Sequence, residues 1–279
     1  TAYFFNPQTN QLEPRAIGST VSNSGSIIGD TDDGVRLIGG GSINNSGTIE
    51  GRVGQFADGV SMFAFEGQAN AGSTTIGSVT NLAGGTILGN RFGIILSGGG
   101  TVDNAGTIGG NVGSVVIQAQ PTEAGRTGSL TNSGTLNGYV GFVNLATASL
   151  GNSGAINGPV VFGNVGSATV TNSGSIASSS SAGMDSDSAL VLTNEATGTI
   201  SGSTSGIYSD GSSLSVDNAG VIRGNGSYDG FDAAPDGGIV FAGGPADIDN
   251  SGTISGQRFG ITTAYFFNPQ TNQLEPRAI

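Results

Sequence analysis

The chain has 279 residues and a net charge of −12, and it contains 52 glycines but no histidine, cysteine or tryptophan. Lysine is absent too, so all eight basic residues are arginine. These absences exclude disulfides, His/Cys metal sites, Ser-His-Asp or Cys-His catalysis, a Schiff-base lysine and a Walker A lysine. An acidic chain with scattered arginines also lacks the basic face that nucleic acid requires, and no apolar run reaches the ~18 residues of a membrane span.

The first element along the chain is an aromatic run within residues 1–17, and those 17 residues return unchanged as residues 263–279. The aromatic residues of the two copies are Tyr3, Phe4, Phe5, Tyr265, Phe266 and Phe267. Two interpretations of the run remain open. It stacks inside a turn of the fold, or it forms a lateral contact between fibres, with residues 6–14 as a protruding loop.

From residue 21 onward one short motif recurs: an apolar residue, any residue, Asn, a small residue, Gly, Ser or Thr, and Ile or Leu. Two of the ten copies carry two extra residues. The ten asparagines are Asn23, Asn45, Asn81, Asn104, Asn132, Asn152, Asn172, Asn194, Asn218 and Asn250. Asn and Gly accept the backbone of a sharp corner, and a buried Asn amide can bond the same amide one turn along. The motif therefore predicts a structural asparagine corner.

A second, looser element lies between the copies and consists of a short apolar run that usually follows a glycine. Examples are residues 34–38, 93–96, 114–117, 189–192 and 238–241. Both elements are typical of short β-strands bounded by turn residues, and no helical period extends over ten residues. Long spacings between copies predict inserted loops around residues 68–75 and 226–236.

A repeat of about 20 residues cannot bury its own apolar face, but it can do so by stacking on copies of itself. We therefore predict an all-β, right-handed parallel β-helix, or β-solenoid, with about ten coils in each 262-residue unit. Residues such as Ile27, Ile108, Ile156 and Ile254 are expected to share one interior column.

The duplicated ends suggest a tandem array, because residues 257–262 resemble residues 90–95 and both follow an Asn motif. We interpret residues 1–17 as a junction segment, residues 18–262 as the coils, and residues 263–279 as the start of the next unit. The chain would then be a window cut from a longer array. A second interpretation keeps separate chains that are joined end to end by the shared segment.

The Asn-Ser-Gly-Thr-Ile units resemble the repeats of bacterial surface β-helices, found in autotransporter passenger domains and filamentous-haemagglutinin-like adhesins. The resemblance covers nearly the whole chain and is specific for architecture rather than activity. It implies export across a Gram-negative envelope and an extracellular location at the bacterial cell surface.

Acidic clusters are the candidate cation sites. Asp30, Asp32 and Asp33 precede Gly34 with the alternating oxygens of a calcium loop, although the distal glutamate of an EF-hand is missing. A solvated turn is the favoured interpretation of this cluster, so we expect no cofactor, with calcium as the alternative. The weaker candidates are Asp185, Asp187, Asp229, Asp232 and Asp236.

The favoured function is structural: a subunit or repeat of a long extracellular filament, stalk, sheath or biofilm matrix, with no enzymatic activity. Its expected partner is itself, end to end and also laterally, with surface polysaccharide as a further candidate. One alternative is an adhesin that binds glycans in a groove lined by aromatics or paired carboxylates. Another is a carbohydrate-active enzyme, which needs two carboxylates on one face; Asp210 and Asp229 could lie near each other on stacked turns, although nothing in their spacing selects them.

Overall fold

The computed structural model describes residues 3–6, 10–14, 19–63, 77–120, 125–226, 236–263, 265–268 and 273–276. These residues form β-strands, turns and bends, with no helix among them. Accordingly, no helix in this part of the chain is long and apolar enough to cross a membrane.

Ten strands end on the ten motif asparagines and form one parallel sheet, which we call the asparagine sheet. The motif asparagine is the last residue of each strand, and chain order is also spatial order. The strands are β3 (Ser19–Asn23), β6 (Gly41–Asn45), β9 (Gly77–Asn81), β12 (Gly100–Asn104), β14 (Thr127–Asn132), β16 (Thr147–Asn152), β19 (Ser167–Asn172), β22 (Leu190–Asn194), β25 (Leu214–Asn218) and β28 (Ala246–Asn250).

Eighteen further strands form a second parallel sheet, which we call the double sheet because each turn of the chain crosses it twice. Two long strands, β13 and β15, make both crossings without a break. The strands are β4 (Ser26–Gly29), β5 (Val35–Ile38), β7 (Thr48–Gly51), β8 (Val60–Phe63), β10 (Thr86–Gly89), β11 (Phe92–Ser97), β13 (Thr107–Gln118), β15 (Thr135–Val143), β17 (Ala155–Asn157), β18 (Val160–Gly163), β20 (Ser175–Ala177), β21 (Met184–Ser186), β23 (Thr199–Gly202), β24 (Ile207–Ser209), β26 (Val221–Gly224), β27 (Gly237–Phe241), β29 (Thr253–Ser255) and β30 (Phe259–Thr263).

The two copies of the duplicated segment form identical antiparallel hairpins. They are β1 (Tyr3–Asn6) with β2 (Gln11–Pro14), and β31 (Tyr265–Asn268) with β32 (Gln273–Pro276). Tyr3 pairs with Pro14, and Tyr265 pairs with Pro276 in the same register. The aromatic side chains, and with them the choice between interior stack and lateral contact, lie outside the described residues.

The interior is filled by columns of apolar side chains that repeat from turn to turn. The predicted column is present, because each motif Ile or Leu pairs with its equivalent in the next turn. Ile108 and Ile156 are fully buried, whereas Ile27 and Ile254 in the first and last turns are half-buried against the same core. The predicted parallel β-solenoid of about ten turns is therefore confirmed, and its right-handedness stays a prediction.

One of the predicted strands was assigned to the wrong position. We expected residues 189–192 to lie between two Asn motifs, but Leu190 to Leu192 belong to β22, which runs into Asn194. Leu190 and Leu192 are buried and Val191 is exposed, so one face of this strand packs on the core. The second strand that this turn adds to the double sheet is β21, a short segment whose Met184 is buried in the core. The predicted insertions fall mostly on residues 64–76 and 227–235, which lie outside the described residues.

The corner glycines allow successive turns to approach closely. A Cβ atom on Gly154 would press into the carbonyl oxygen of Gly134 in the preceding turn. The same atom on Gly25, in the first turn, would meet nothing within 4 Å. Glycine at this corner is therefore required by the neighbouring turn.

These two glycines give a matched pair for testing the stacking. We expect Gly154→Ala to lower the free energy of unfolding by about 1–3 kcal/mol, because backbone atoms must move to admit the methyl group. Gly25→Ala should leave it nearly unchanged in this chain. Thermal and urea unfolding of both variants would check this, and equal losses would contradict the turn-to-turn contact.

Candidate functional site

A continuous ladder of asparagine side chains runs the length of the solenoid. In each of the nine steps the Nδ2 of one motif asparagine donates to the Oδ1 of the next, at 2.6–2.8 Å. Eight of these bonds are buried, and the last, Asn218 to Asn250, is half-buried. The predicted ladder is therefore present at every motif copy.

Each interior amide also donates a hydrogen bond to the backbone at the corner of its own turn. Asn132 Nδ2 donates to Asn152 Oδ1 at 2.8 Å and lies 3.3 Å from both Gly134 O and Ala155 O. Its Oδ1 accepts from Asn104 Nδ2 at 2.8 Å. Because the side chain is fully buried, removing one amide leaves two neighbours with unpaired polar atoms in a dry interior.

The ladder has a direction, since the donor always belongs to the earlier turn. At the first turn, Asn23 Oδ1 accepts only the backbone N–H of Gly25, at 3.2 Å, within the part of the chain that the structure describes. At the last turn, Asn250 Nδ2 donates to Gly252 O at 3.3 Å, and no further rung follows among the described residues. One end of the column therefore presents an acceptor and the other a donor.

The acidic cluster that suggested calcium faces arginine side chains. Arg36 binds Asp32 Oδ1 through Nη2 at 2.7 Å and Asp33 Oδ2 through Nε at 2.6 Å. Arg52 lies 3.3 Å from Asp30, so all three candidate carboxylates have a cationic partner. No group of three or more Asp or Glu residues suited to a metal ion occurs among the described residues.

A neighbouring ion pair is more deeply buried and escaped the sequence analysis. Arg91 binds both carboxylate oxygens of Asp58, Nη2 at 2.6 Å and Nε at 3.0 Å, and the Phe92 N–H donates to the same carboxylate at 3.1 Å. The Asp58 side chain is 1% exposed. Burial raises the pKa of Asp58, which the bonds from Arg91 and Phe92 oppose. The Arg91 guanidinium also lies over the rings of Phe56 and Phe92, 5.4 and 5.0 Å from their centres.

Further along the axis, a group of carboxyls lies on the outside of the double sheet. Burial raises the pKa of Asp185, and the negative charges of Asp210 and Asp187 raise it further. Asp187 accepts the Asn164 N–H at 2.7 Å and the Ser188 hydroxyl at 2.9 Å. Of the two carboxylates named for a glycosidase, Asp210 lies near Asp185, whereas Asp229 lies outside the described residues, as does Asp232. Asp236 is buried.

A shallow groove of about 370 Å³ lies on the double sheet. Its polar lining consists of three amides and the Glu50–Arg52 ion pair, whose Nε to Oε2 distance is 2.9 Å. Leu88 contributes an apolar wall, and glycines complete the surface. The lining contains one carboxylate and no aromatic ring.

The ladder can be tested with two asparagines that differ in burial. We expect Asn132→Ala to cost about 2–5 kcal/mol of unfolding free energy, because Asn104 and Asn152 each lose a buried partner. Asn157 donates to Asn137 at 2.9 Å in the same way, but on the exposed surface, so Asn157→Ala should cost less than about 0.5 kcal/mol. Denaturant unfolding measures both, and similar losses would show that burial of the ladder contributes little.

The outer carboxyls predict a pH dependence. Because the pKa of Asp185 is raised in the folded chain, its contribution to stability is present below the ordinary value of 3.8 and is lost as the pH rises through the raised value. Asp185→Asn should therefore match the parent near pH 3 and become more stable than the parent towards pH 7. Asp187→Ala should be less stable than the parent at pH 7, since the Asn164 N–H and the Ser188 hydroxyl both lose the Oδ1 atom that accepts their hydrogen bonds. Thermal unfolding from pH 3 to 8 measures both, and a pH-independent effect of Asp185→Asn would contradict the argument.

A comparison with protein-family models, curated proteins and solved structures found no significant match to this chain. The resemblance to bacterial surface β-helices therefore stays a prediction that rests on the motif and on the solenoid fold.

Proposed function

We propose that this chain is a structural unit of a long extracellular bacterial surface fibre, built by axial stacking of solenoid coils. The observation that carries the proposal is the register: the strands of every turn align with those of the next in both sheets, and the asparagine ladder is unbroken. Hydrogen bonds between turns run along the axis, which makes such a rod stiff. Its function is then mechanical, and its length comes from repetition of the unit.

Composition and surface chemistry support this proposal. A chain without cysteine has no thiol to oxidise outside the cell, and a net charge of −12 keeps neighbouring rods apart at low salt. The arginines that are described in ion pairs neutralise carboxylates on the same rod, as Arg36, Arg52 and Arg91 do. These features favour a soluble, extended rod over a chain that binds a polyanion.

The adhesin and enzyme alternatives receive less support. The groove on the double sheet lacks the aromatic rings or paired carboxylates that we expected of a glycan site. Its amides and single ion pair would hydrogen-bond equally well to water. We therefore place glycan binding second and carbohydrate chemistry third.

Electron microscopy of native material tests the fibre. Ten turns at about 4.8 Å give an axial period of about 48 Å for each unit. We expect thin filaments with this period, together with a fibre-diffraction reflection near 4.8 Å along the filament axis. Discrete particles of one unit's length, seen under conditions in which the chain is folded, would contradict the proposal.

A further inference from the structure

The two ends of the solenoid expose surfaces that interior turns cover. In the first turn Val21, Ile27 and Leu37 are half-buried, and in the last turn Ile248 and Ile254 are half-buried. Their equivalents in interior turns, such as Leu150 and Ile156, are buried. Each end therefore leaves one side of the apolar columns open, next to strands that have a neighbour on one side only among the described residues.

The open ends match each other position by position. The first turn presents Val21, Asn23 and Ile27 in the order in which the last turn presents Ile248, Asn250 and Ile254. Interior turns stack with these same positions aligned, for example Leu150 on Leu130 and Asn152 on Asn132. A first turn placed on a last turn in this register would repeat an interface that the solenoid already makes nine times.

The asparagine ladder fixes which end meets which. The donor Nδ2 of Asn250 lies at the end of the column where the next Oδ1 would be, and the Oδ1 of Asn23 accepts from the Gly25 backbone but from no side-chain amide among the described residues. A head-to-tail contact brings this donor to this acceptor. A head-to-head contact would oppose two acceptors, and a tail-to-tail contact would oppose two donors.

The strand pairing within the duplicated hairpin is compatible with an insertion at the joint. It follows β30, at the corner where the chain passes from the double sheet to the asparagine sheet, and in other turns two residues suffice there, such as Gly39 and Gly40. Tyr265 pairs with Pro276 across the hairpin, so its ends lie about 5 Å apart and the chain leaves close to where it entered. A hairpin with closely spaced ends can be inserted at this corner without changing the register of the strands on either side.

We propose that the last turn of one unit binds the first turn of a second copy, head to tail, with Asn250 donating to Asn23 and Ile254 stacking on Ile27. This proposal rests on the proposed fibre function and names its joint. The partner is a second copy of the same 262-residue unit, joined through one shared hairpin. The solenoid then continues through the joint with no change in register.

The first experiment uses a polypeptide of residues 1–279 followed directly by a second copy of residues 18–279, so that the whole chain is retained. Gly25→Ala is made in the first copy or in the second. In the first copy the methyl group meets nothing within 4 Å. In the second copy it should press into Gly252 O of the first, as a Cβ on Gly252 would press into Gly220 O. We expect a lower unfolding temperature for the second-copy variant alone, and equal effects in the two copies would overturn the joint.

The second experiment measures the register directly. The chain has no cysteine, so Asp249→Cys in the first copy and Ser22→Cys in the second introduce a single pair. In the proposed register their Cα atoms lie about 4.8 Å apart, within the range for a disulfide. The control replaces Ser22→Cys with Thr20→Cys, which lies on the same exposed face but two residues, about 7 Å, along the strand.

Mild oxidation followed by mass spectrometry of the cross-linked peptides distinguishes the outcomes. We expect the Ser22→Cys pair to oxidise completely while the Thr20→Cys pair stays largely reduced, and equal cross-linking would overturn the register. Filaments of 48 Å period together with equal cross-linking would support the proposed fibre function but reject this joint. Selective cross-linking with discrete native particles would keep the joint and reject the fibre.

Discussion

The buried asparagine amide is the interaction on which the rest of the structure depends. Apolar columns alone leave a shift by two residues open, because the same face of the strand then still points inward. A displaced amide would instead lose a donor and an acceptor inside a dry core, at about 1–3 kcal/mol for each unpaired group. A shift by one residue would also turn every interior side chain of the strand outward. The ladder therefore selects one register for the whole rod.

The tight corner follows from that register. Once the amides of Asn132 and Asn152 are bonded at 2.8 Å, the next backbone segment lies so close that only glycine fits at Gly154. The other described corners carry only single, exposed amide bonds between turns, such as Asn164 Nδ2 to Asn144 Oδ1 at 2.8 Å, and they tolerate different lengths. β5 and β6 are joined by two residues, whereas 13 residues lie between β8 and β9. Spacing between motif copies can therefore vary from 20 to 36 residues while the stacked strands keep their alignment.

Local sequence was sufficient to predict the features that recur in every turn. The Asn corner, the Ile column and the number of turns were predictable because each is encoded within a few residues and recurs ten times. The assignment of residues 189–192 was wrong because an alternating apolar run fits either strand position. Its place depends on β21, which has three residues and a weak apolar pattern.

Contacts between unlike turns were not predictable from local sequence. Asp58 and Arg91 are 33 residues apart and occur once, so no repeated pattern links them. A glycine lies at the start of the second strand that each of these turns adds to the double sheet. When the turns are aligned on this glycine, the residues before it, Asp33, Asp58 and Phe92, occupy equivalent positions. That alignment needs the register, which the structure supplies. The partner of Asp32 and Asp33 is local instead: Arg36 follows them by four and three residues, but a linear motif does not show the direction in which its side chain points.

Nothing in the interior packing of such a rod limits the number of turns. Each added turn buries the apolar columns of the one before and extends the ladder by one bond, so the last turn is always the least satisfied. Solenoids of finite length therefore need a polar cap that covers the terminal columns. Here the described terminal turns keep the interior pattern instead: Ile248 and Asn250 at one end correspond to Val21 and Asn23 at the other. In the proposed joint the two ends are complementary, so continuation needs no new geometry, and the number of units sets the length of the proposed fibre.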